Sequence, residues 1–369
     1  MKIAVIGGGI VGATTSFYLA QAGDEVTLFD YKIGQATSAA AGIISPWLSQ
    51  RRNQDWYQLA RAGAKFYPAL MKDLAVPSES SIYQQVGTIL FKNNEKLLNK
   101  LYEIALKRRE EAPEIGDISI LTPTELQAKI PILTPEMNGL FVSGGARVDG
   151  RQLINQLVTS FRALGGQYCE TQVSDLRPLQ SGWLVKANDL TEEYDKVVLG
   201  TGAWLPNLIH PLGYNVDVRG QKGQLVEVRI DSDTSNWPVV MPQGESDIIP
   251  FSNGQILIGA THENEQFYDL TVDDQVVSDM VNSIKELAPD LIKAEQVEVR
   301  VGTRAYTSDF LPFFGEVADL PGLFVASGLG SSGLTTGPVI GHTLASWLHG
   351  NETELKASRY SPANYIRKT

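Results

Sequence analysis

A single cysteine, Cys169, stands in a chain of 369 residues. It excludes an intramolecular disulfide framework and makes a reducing cytoplasm the simplest compartment. Histidine is scarce as well: the four, at 210, 262, 342 and 349, show no metal-ligand spacing, so no metal site is expected. Basic charge is in deficit, with 31 Lys and Arg against 42 Asp and Glu and a formal net charge of -11. That balance leaves no global positive field to hold a phosphate backbone, so no nucleic acid partner is expected. No run of about eighteen apolar residues suits a bilayer span. The opening stretch from Lys2 to Ala20 is broken by three consecutive glycines and lacks a following Ala-x-Ala site. Neither a secretory leader nor a transmembrane segment is expected.

What is present suits a globule. A hydrophobic fraction of 43% and a charged fraction of 20% are those of a folded, soluble chain. The length fits two domains, or one cofactor domain with an inserted partner. The acidic composition leaves homo-oligomerisation open.

Along the chain, Lys2 to Ile6 reads as a strand ending at Gly7-Gly8-Gly9, Ile10 to Ala22 as a helix closed by Gly23, and Glu25 to Phe29 as a second strand. Helical spacing recurs from Asp55 to Leu74 and from Glu95 to Glu111. Asp149 is placed to cap a helix whose buried face carries Leu153, Leu157, Phe161 and Leu164, ending at Gly165-Gly166. Tyr168 to Val173 and Lys196 to Leu199 read as strands. From about Val216 to Val301 the pattern becomes strand-rich, and Ser252-Asn253-Gly254 joins Ile248–Phe251 to Gln255–Gly259 as a hairpin. The first pattern then returns: a strand from Leu323 to Ala326, a turn from Gly328 to Gly333, and a helix from Leu334 to Leu348. A cofactor domain is thus interrupted by an antiparallel one.

Gly7-x-Gly9-x-x-Gly12 follows a strand and opens a helix, and Asp30 ends the next strand, which is the context of a dinucleotide fingerprint. Gly7 permits the tight turn, Gly9 lets a pyrophosphate approach the backbone, and Gly12 lets helix and strand pack closely. The helix N-terminus stabilises the phosphate charge, and Asp30 is placed to accept from ribose hydroxyls. The fingerprint does not separate NAD from FAD. Two later segments bear on that choice: the small, partly polar Thr37 to Ile44, and the glycine-rich Ser327 to Pro338, which feeds the last helix. The amides of the second are suited to a developing anion, such as the negative charge a reduced flavin carries near N1.

These segments, with Val148-Asp149-Gly150, Gly200-Thr201-Gly202-Ala203-Trp204 and Arg219-Gly220-Gln221, resemble in order the D-amino-acid oxidase superfamily of FAD-dependent oxidoreductases. Within it the chain looks most like the glycine oxidase, sarcosine oxidase and bacterial D-amino-acid dehydrogenase branch. The resemblance implies an α/β plus α+β architecture, in which a glutathione-reductase-like Rossmann FAD-binding domain is interleaved with an antiparallel-sheet substrate domain. The expected division gives residues 1–80, 146–215 and 302–369 to FAD, and 81–145 and 216–301 to substrate. Carried over by position, the FAD contacts beyond the fingerprint are Ile10, Val11, Asp30, Tyr31, Thr37, Ser38, Gly42, Ile43, Ile44, Val173 through its backbone, Thr201 and Gly202. The terminal loop adds Leu329, Gly330, Ser331, Ser332, Gly333, Leu334 and Thr335.

The resemblance also places Arg304 where the family holds the substrate carboxylate, work that suits a planar, permanently charged fork. His262, after Gly259-Ala260-Thr261, is a candidate to orient the substrate or accept its amine proton, and Tyr306 is a further pocket candidate. Trp47 and Phe251 fit core packing more simply, and His342 a structural role. The implied reaction is oxidation of the C–N bond of a small amino acid, whether a D-amino acid, glycine or an N-methyl or cyclic amino acid. Hydride passes to flavin N5, and the imine hydrolyses to an oxo acid.

Several positions depart from the family pattern. Ala305 replaces a proline, Asp247 stands where glycine oxidase resemblance suggests a tyrosine, and small Ser331 stands in place of a larger basic residue. These make glycine itself a doubtful substrate. Cys169 lies far from the Arg304 segment, so the FAD is expected to be noncovalent. Gln255 to Gly259 holds no lysine to assist oxygen, which leaves oxygen and a quinone or electron carrier open as acceptors. Another small amine, a 2-hydroxy acid, or a flavoprotein without turnover are the alternatives.

Overall fold

The computed structural model describes residues 1–244 and 246–369. Lys2–Ile6, Ile10–Gln21 and Glu25–Phe29 form the expected β-α-β unit, the strands pairing in parallel from Lys2↔Glu25 to Ile6↔Phe29. Both strands are buried almost throughout, as a sheet covered on both faces requires. Lys196–Leu199 pairs on the other side of Lys2–Ile6, followed by Leu323–Ser327 and, antiparallel, Phe313–Glu316. The described residues thus form a six-stranded sheet with Lys2–Ile6 inside it and the chain crossing over it several times.

One expected strand divides in two. Gln167–Cys169 joins the edge of the parallel sheet beside Glu25–Phe29, whereas Val173–Pro178 begins a separate three-stranded antiparallel ribbon with Trp183–Ala187 and Leu190–Tyr194. The break is local: the Thr171 amide turns back onto the Cys169 carbonyl at 3.0 Å instead of continuing a ladder. A period-2 apolar pattern is blind to such a turn.

The strand-rich middle builds an eight-stranded sheet. Its order is Glu295–Tyr306, Arg219–Arg229, Gln255–Gly259, Asp247–Pro250, Val239–Met241, Thr88–Leu90, Gly139–Val142 and Ile118–Leu121. All neighbours are antiparallel except Val239–Met241 with Thr88–Leu90. Asn253 (φ 60°) and Gly254 (φ 75°) both adopt the left-handed conformation that a two-residue primed hairpin turn demands. Glu295–Tyr306 runs through the expected boundary at 301–302, so Arg304 and Tyr306 sit on the same continuous strand as Arg300.

Helices Ile10–Gln21, Gln54–Asp73 and Gly333–Leu348 pack together over one face of the parallel sheet. Close approach depends on absent side chains: a Cβ on Gly337 would stand 2.4 Å from Ile10, and one on Gly63 would stand 2.0 Å from the Thr335 carbonyl oxygen. Asp149 caps Gly150–Ala163 as expected, accepting from the amides of Arg151 (2.9 Å) and Gln152 (3.0 Å). From that helix Arg151 reaches Glu298 of the antiparallel sheet through two hydrogen bonds, at 2.7 and 2.8 Å. No described helix is long and apolar enough to cross a membrane.

Candidate active site

The strand Lys2–Ile6 hands over to its helix through Gly7, whose φ of 100° places it in the region glycine tolerates. A Cβ there would lie 2.5 Å from the Gly200 carbonyl oxygen, and one on Gly12 would lie 1.8 Å from that of Gly7. Two strand ends and a helix therefore meet at a distance only glycine allows. Around Gly9, by contrast, a Cβ would meet only the Thr37 hydroxyl at 3.5 Å. The backbone at the helix N-terminus is bare there, as close approach of an anion requires. The Ile10 amide donates to Thr37 Oγ1 at 3.1 Å, which ties the 37–44 segment to the fingerprint. Asp30 is buried beside it, its carboxylate accepting from Gln35 Nε2 (2.7 Å) and the Tyr168 hydroxyl (3.3 Å).

A cavity of about 930 Å³ opens over this turn and continues to the antiparallel sheet. It lies at the upper end of the size range for small-molecule and cofactor sites. Gly7, Gly9, Ile10, Val11, Asp30, Tyr31, Thr37, Gly42, Ile43, Val173, Thr201 and Gly202 line it, as do all seven residues from Leu329 to Thr335. His262 and Arg304 line it from the antiparallel side. Four expected site residues do not reach it. Gly12 lies beneath the turn as a packing glycine. Ser38 turns its hydroxyl to Gln35 Oε1, and Ile44 points into the core. Tyr306 is buried behind the wall.

Tyr306 nevertheless shapes the site. Its hydroxyl accepts the Ser331 amide at 3.1 Å, and its ring stands where a Cβ on Gly330 would come within 2.4 Å. The terminal loop is pinned further by Trp56 Nε1 to Ser332 Oγ (3.1 Å) and by the Tyr67 hydroxyl to the Leu334 carbonyl (2.6 Å). The N-terminus of Gly333–Leu348 is thereby held facing the cavity, with the positive end of its dipole towards whatever charge develops there.

On the opposite wall Arg304 Nη1 donates to the Thr261 carbonyl (2.7 Å) and Gln221 Oε1 (3.1 Å). Asp247, at the start of its strand and paired in register with Gly259, also lines the cavity. Burial pushes its carboxyl up to about 7. His262 stands exposed at the cavity edge. Trp47 and Phe251 are buried outside the cavity lining, Phe251 beneath the Arg147 guanidinium. His342 packs between Tyr18 and Phe66, and burial lowers its basicity. Cys169 does not line the cavity.

Three buried hydroxyls on the cavity wall, of Ser45, Thr201 and Thr303, find no hydrogen-bond partner among the described residues. Buried hydroxyls are ordinarily satisfied, so a large ligand rich in donors and acceptors fits the wall, as FAD is. Thr201 lies in a recognisable glycine-rich segment. Ser45 and Thr303 are revealed only by the fold, since a lone hydroxyl carries no distinguishing sequence signal.

Comparison with known proteins agrees with this geometry. A family model described as DAO, FAD dependent oxidoreductase, matches residues 2–347. The chain is 43% identical over 368 residues to the uncharacterized oxidoreductase YurR of Bacillus subtilis (strain 168), covering 98% of each chain. It is 29% identical to the glycine oxidase of Geobacillus kaustophilus (strain HTA426), covering 99% of this chain and 97% of that one. Among solved structures, the iminodiacetate oxidase of Chelativorans sp. BNC1 superposes with a TM-score of 0.92 at 32% identity, over 98% of this chain and 99% of the other. With the fingerprint, the glycine-rich terminal loop and a cavity spanning both sheets, the chain belongs to the DAO family of FAD-dependent oxidoreductases.

Proposed function

We propose that this enzyme oxidises the C–N bond of a small amino acid, with Arg304 holding the carboxylate. The observation that carries the reading is that Arg304 lines the same cavity as the dinucleotide fingerprint and the terminal loop. The names of the relatives, glycine oxidase and iminodiacetate oxidase, support it.

FAD, when bound, supplies the two-electron acceptor. Gly9, Ile10, Thr37 and Asp30 would hold its nucleotide part, and Leu329 to Thr335 its flavin, without a covalent link. Residues 1–80, 146–215 and 302–369 would contribute most of the cofactor side and 81–145 and 216–301 most of the substrate side, with the strand Glu295–Tyr306 crossing that division so that Arg304 faces the substrate. The Arg304 guanidinium offers the carboxylate parallel charge-assisted hydrogen bonds, and its contacts with Thr261 and Gln221 restrict its rotation. The substrate loses the Cα–H bond with its electron pair and one N–H proton, forming C=N. Water then adds at that carbon and releases an oxo acid and ammonia or an amine. His262 at the cavity edge is positioned to take the proton, and no buried general base is required. Oxygen or a quinone-type carrier takes the electrons onward.

The test is the visible spectrum of the purified holoenzyme during anaerobic addition of D-amino acids, glycine, sarcosine, D-proline and iminodiacetate singly. Bleaching by a carboxylate-bearing amine, and its loss in Arg304→Lys, is the expected result. Bleaching only by hydroxy acids or by amines without a carboxylate would overturn the reading. Readmitting air then identifies oxygen as acceptor if colour returns with peroxide.

A further inference from the structure

The chain carries a net charge of -11, yet basic side chains gather on the wall of its cavity. Arg51 and Lys92 line it together with Arg304. Among the described residues neither Arg51 nor Lys92 takes part in an ion pair. Lys32, the remaining lysine on the wall, is different: Glu170 accepts from it at 2.6 Å beside Asp30's end of the cavity.

Arg51 is held in place. Its guanidinium carbon stacks 4.5 Å from the centre of the Trp56 ring, and Nη2 donates to Ser331 Oγ at 3.2 Å. Trp56 is itself fixed by its indole hydrogen bond to Ser332. The contact with Trp56 holds the guanidinium over the ring, and its other N–H groups meet no acceptor among the described residues. The same loop residue, Ser331, is bound through its amide to Tyr306, two positions beyond Arg304 on its strand. A short chain of contacts thus connects the two guanidinium-bearing segments across the cavity.

One α-carboxylate requires one guanidinium. A second half-buried guanidinium, without a carboxylate of its own among the described residues, loses hydration uncompensated unless the ligand brings another negative charge. Of the two acids that line the cavity among the described residues, Asp30 lies at the Lys32 end, and on the Arg304 wall burial raises the Asp247 carboxyl to about 7. We infer that Arg51, assisted by Lys92, forms a second carboxylate subsite, and that the preferred substrate is a dianionic amino or imino acid bearing two carboxylates on either side of its reacting C–N bond. This rests on the reading that Arg304 holds the first carboxylate of an amino-acid substrate.

The test compares sarcosine with iminodiacetate, which differ in a methyl against a carboxymethyl group on nitrogen. Anaerobic titration of the holoenzyme should give an apparent Kd for iminodiacetate roughly 10- to 100-fold below that for sarcosine, the worth of one charge-assisted pair. Arg51→Gln should retain its flavin and erase most of that ratio, and Arg51→Lys should restore part of it. A wild-type enzyme indifferent to the second carboxylate, or an Arg51→Gln variant that weakens both ligands equally, would overturn the subsite. Loss of flavin from Arg51→Gln would assign Arg51 to the cofactor instead, and so also overturns it. Failure of every amino acid to bleach the flavin would count against the reaction itself, and is distinguishable from these outcomes.

Discussion

The Arg304 guanidinium lies across Gly223, close enough that a Cβ on the glycine would stand 2.7 Å from Nη1. The two residues belong to adjacent antiparallel strands, where Gly223 pairs with Gly302 and Gln221 with Arg304. A missing side chain on one strand is what gives the guanidinium its resting place on the other. Gly223→Ala would press on the flexible end of Arg304 and not on backbone. The expected outcome is a KM for carboxylate substrates raised roughly 10-fold, about 1.4 kcal/mol, with the melting temperature moved by less than about 3 °C. Steady-state kinetics beside thermal melting of the holoenzyme checks it; a large loss of stability with KM intact would show that the glycine serves folding alone.

Asp30 already accepts two side-chain hydrogen bonds while facing the cavity. Asp30→Ala removes the acceptor that ribose hydroxyls would use, and is expected to weaken FAD retention roughly 10- to 100-fold. Flavin content after gel filtration, followed by titration of the apoprotein with FAD, measures it. Unchanged flavin content would remove Asp30 from the cofactor site.

Tyr306→Phe keeps the ring against Gly330 and deletes only the acceptor for the Ser331 amide. The expected cost is about 0.5–1.5 kcal/mol in urea unfolding, with a fall in kcat exceeding any rise in KM because the loop amides lose their alignment. A change confined to KM would mean that the hydroxyl bears on substrate binding rather than on the loop.

Asp247 has a pH signature with a definite sign. Burial raises its carboxyl from the ordinary 3.8 to about 7, so between those values the folded state holds a proton that the unfolded state releases. Its contribution to stability is fully present below about pH 4 and is lost as pH rises through about 7. Relative to Asp247→Asn, the wild-type enzyme should therefore lose about 1–2 kcal/mol across that interval, allowing for the partial access of this carboxyl to the cavity. Urea melts at pH 4.5, 6 and 8 report the difference, and a constant gap at all three would mean the carboxyl is not desolvated.

Much of this protein is legible in its sequence, and the legible parts share a length scale. The Gly7-Gly9-Gly12 turn, the Asp149 cap and the Asn253-Gly254 hairpin obey rules that act over two to five residues, so they survive as written. The segment from Tyr168 to Val173 forms parts of two strands and not one because the Thr171 amide closes a turn within it, on the Cys169 carbonyl. Tyr306 and Ile44 belong to segments that do reach the cavity, while their own side chains face away from it.

The order of the motifs alone carries the family, the dinucleotide turn and the candidate carboxylate anchor. That Ser45 and Arg51 line one cavity with Thr303 and Arg304, some 250 positions further along the chain, follows from the packed fold. The reason is physical: turns, caps and helices are set by hydrogen bonds between near neighbours, whereas membership of a cavity depends on which faces distant segments present once their apolar sides have packed.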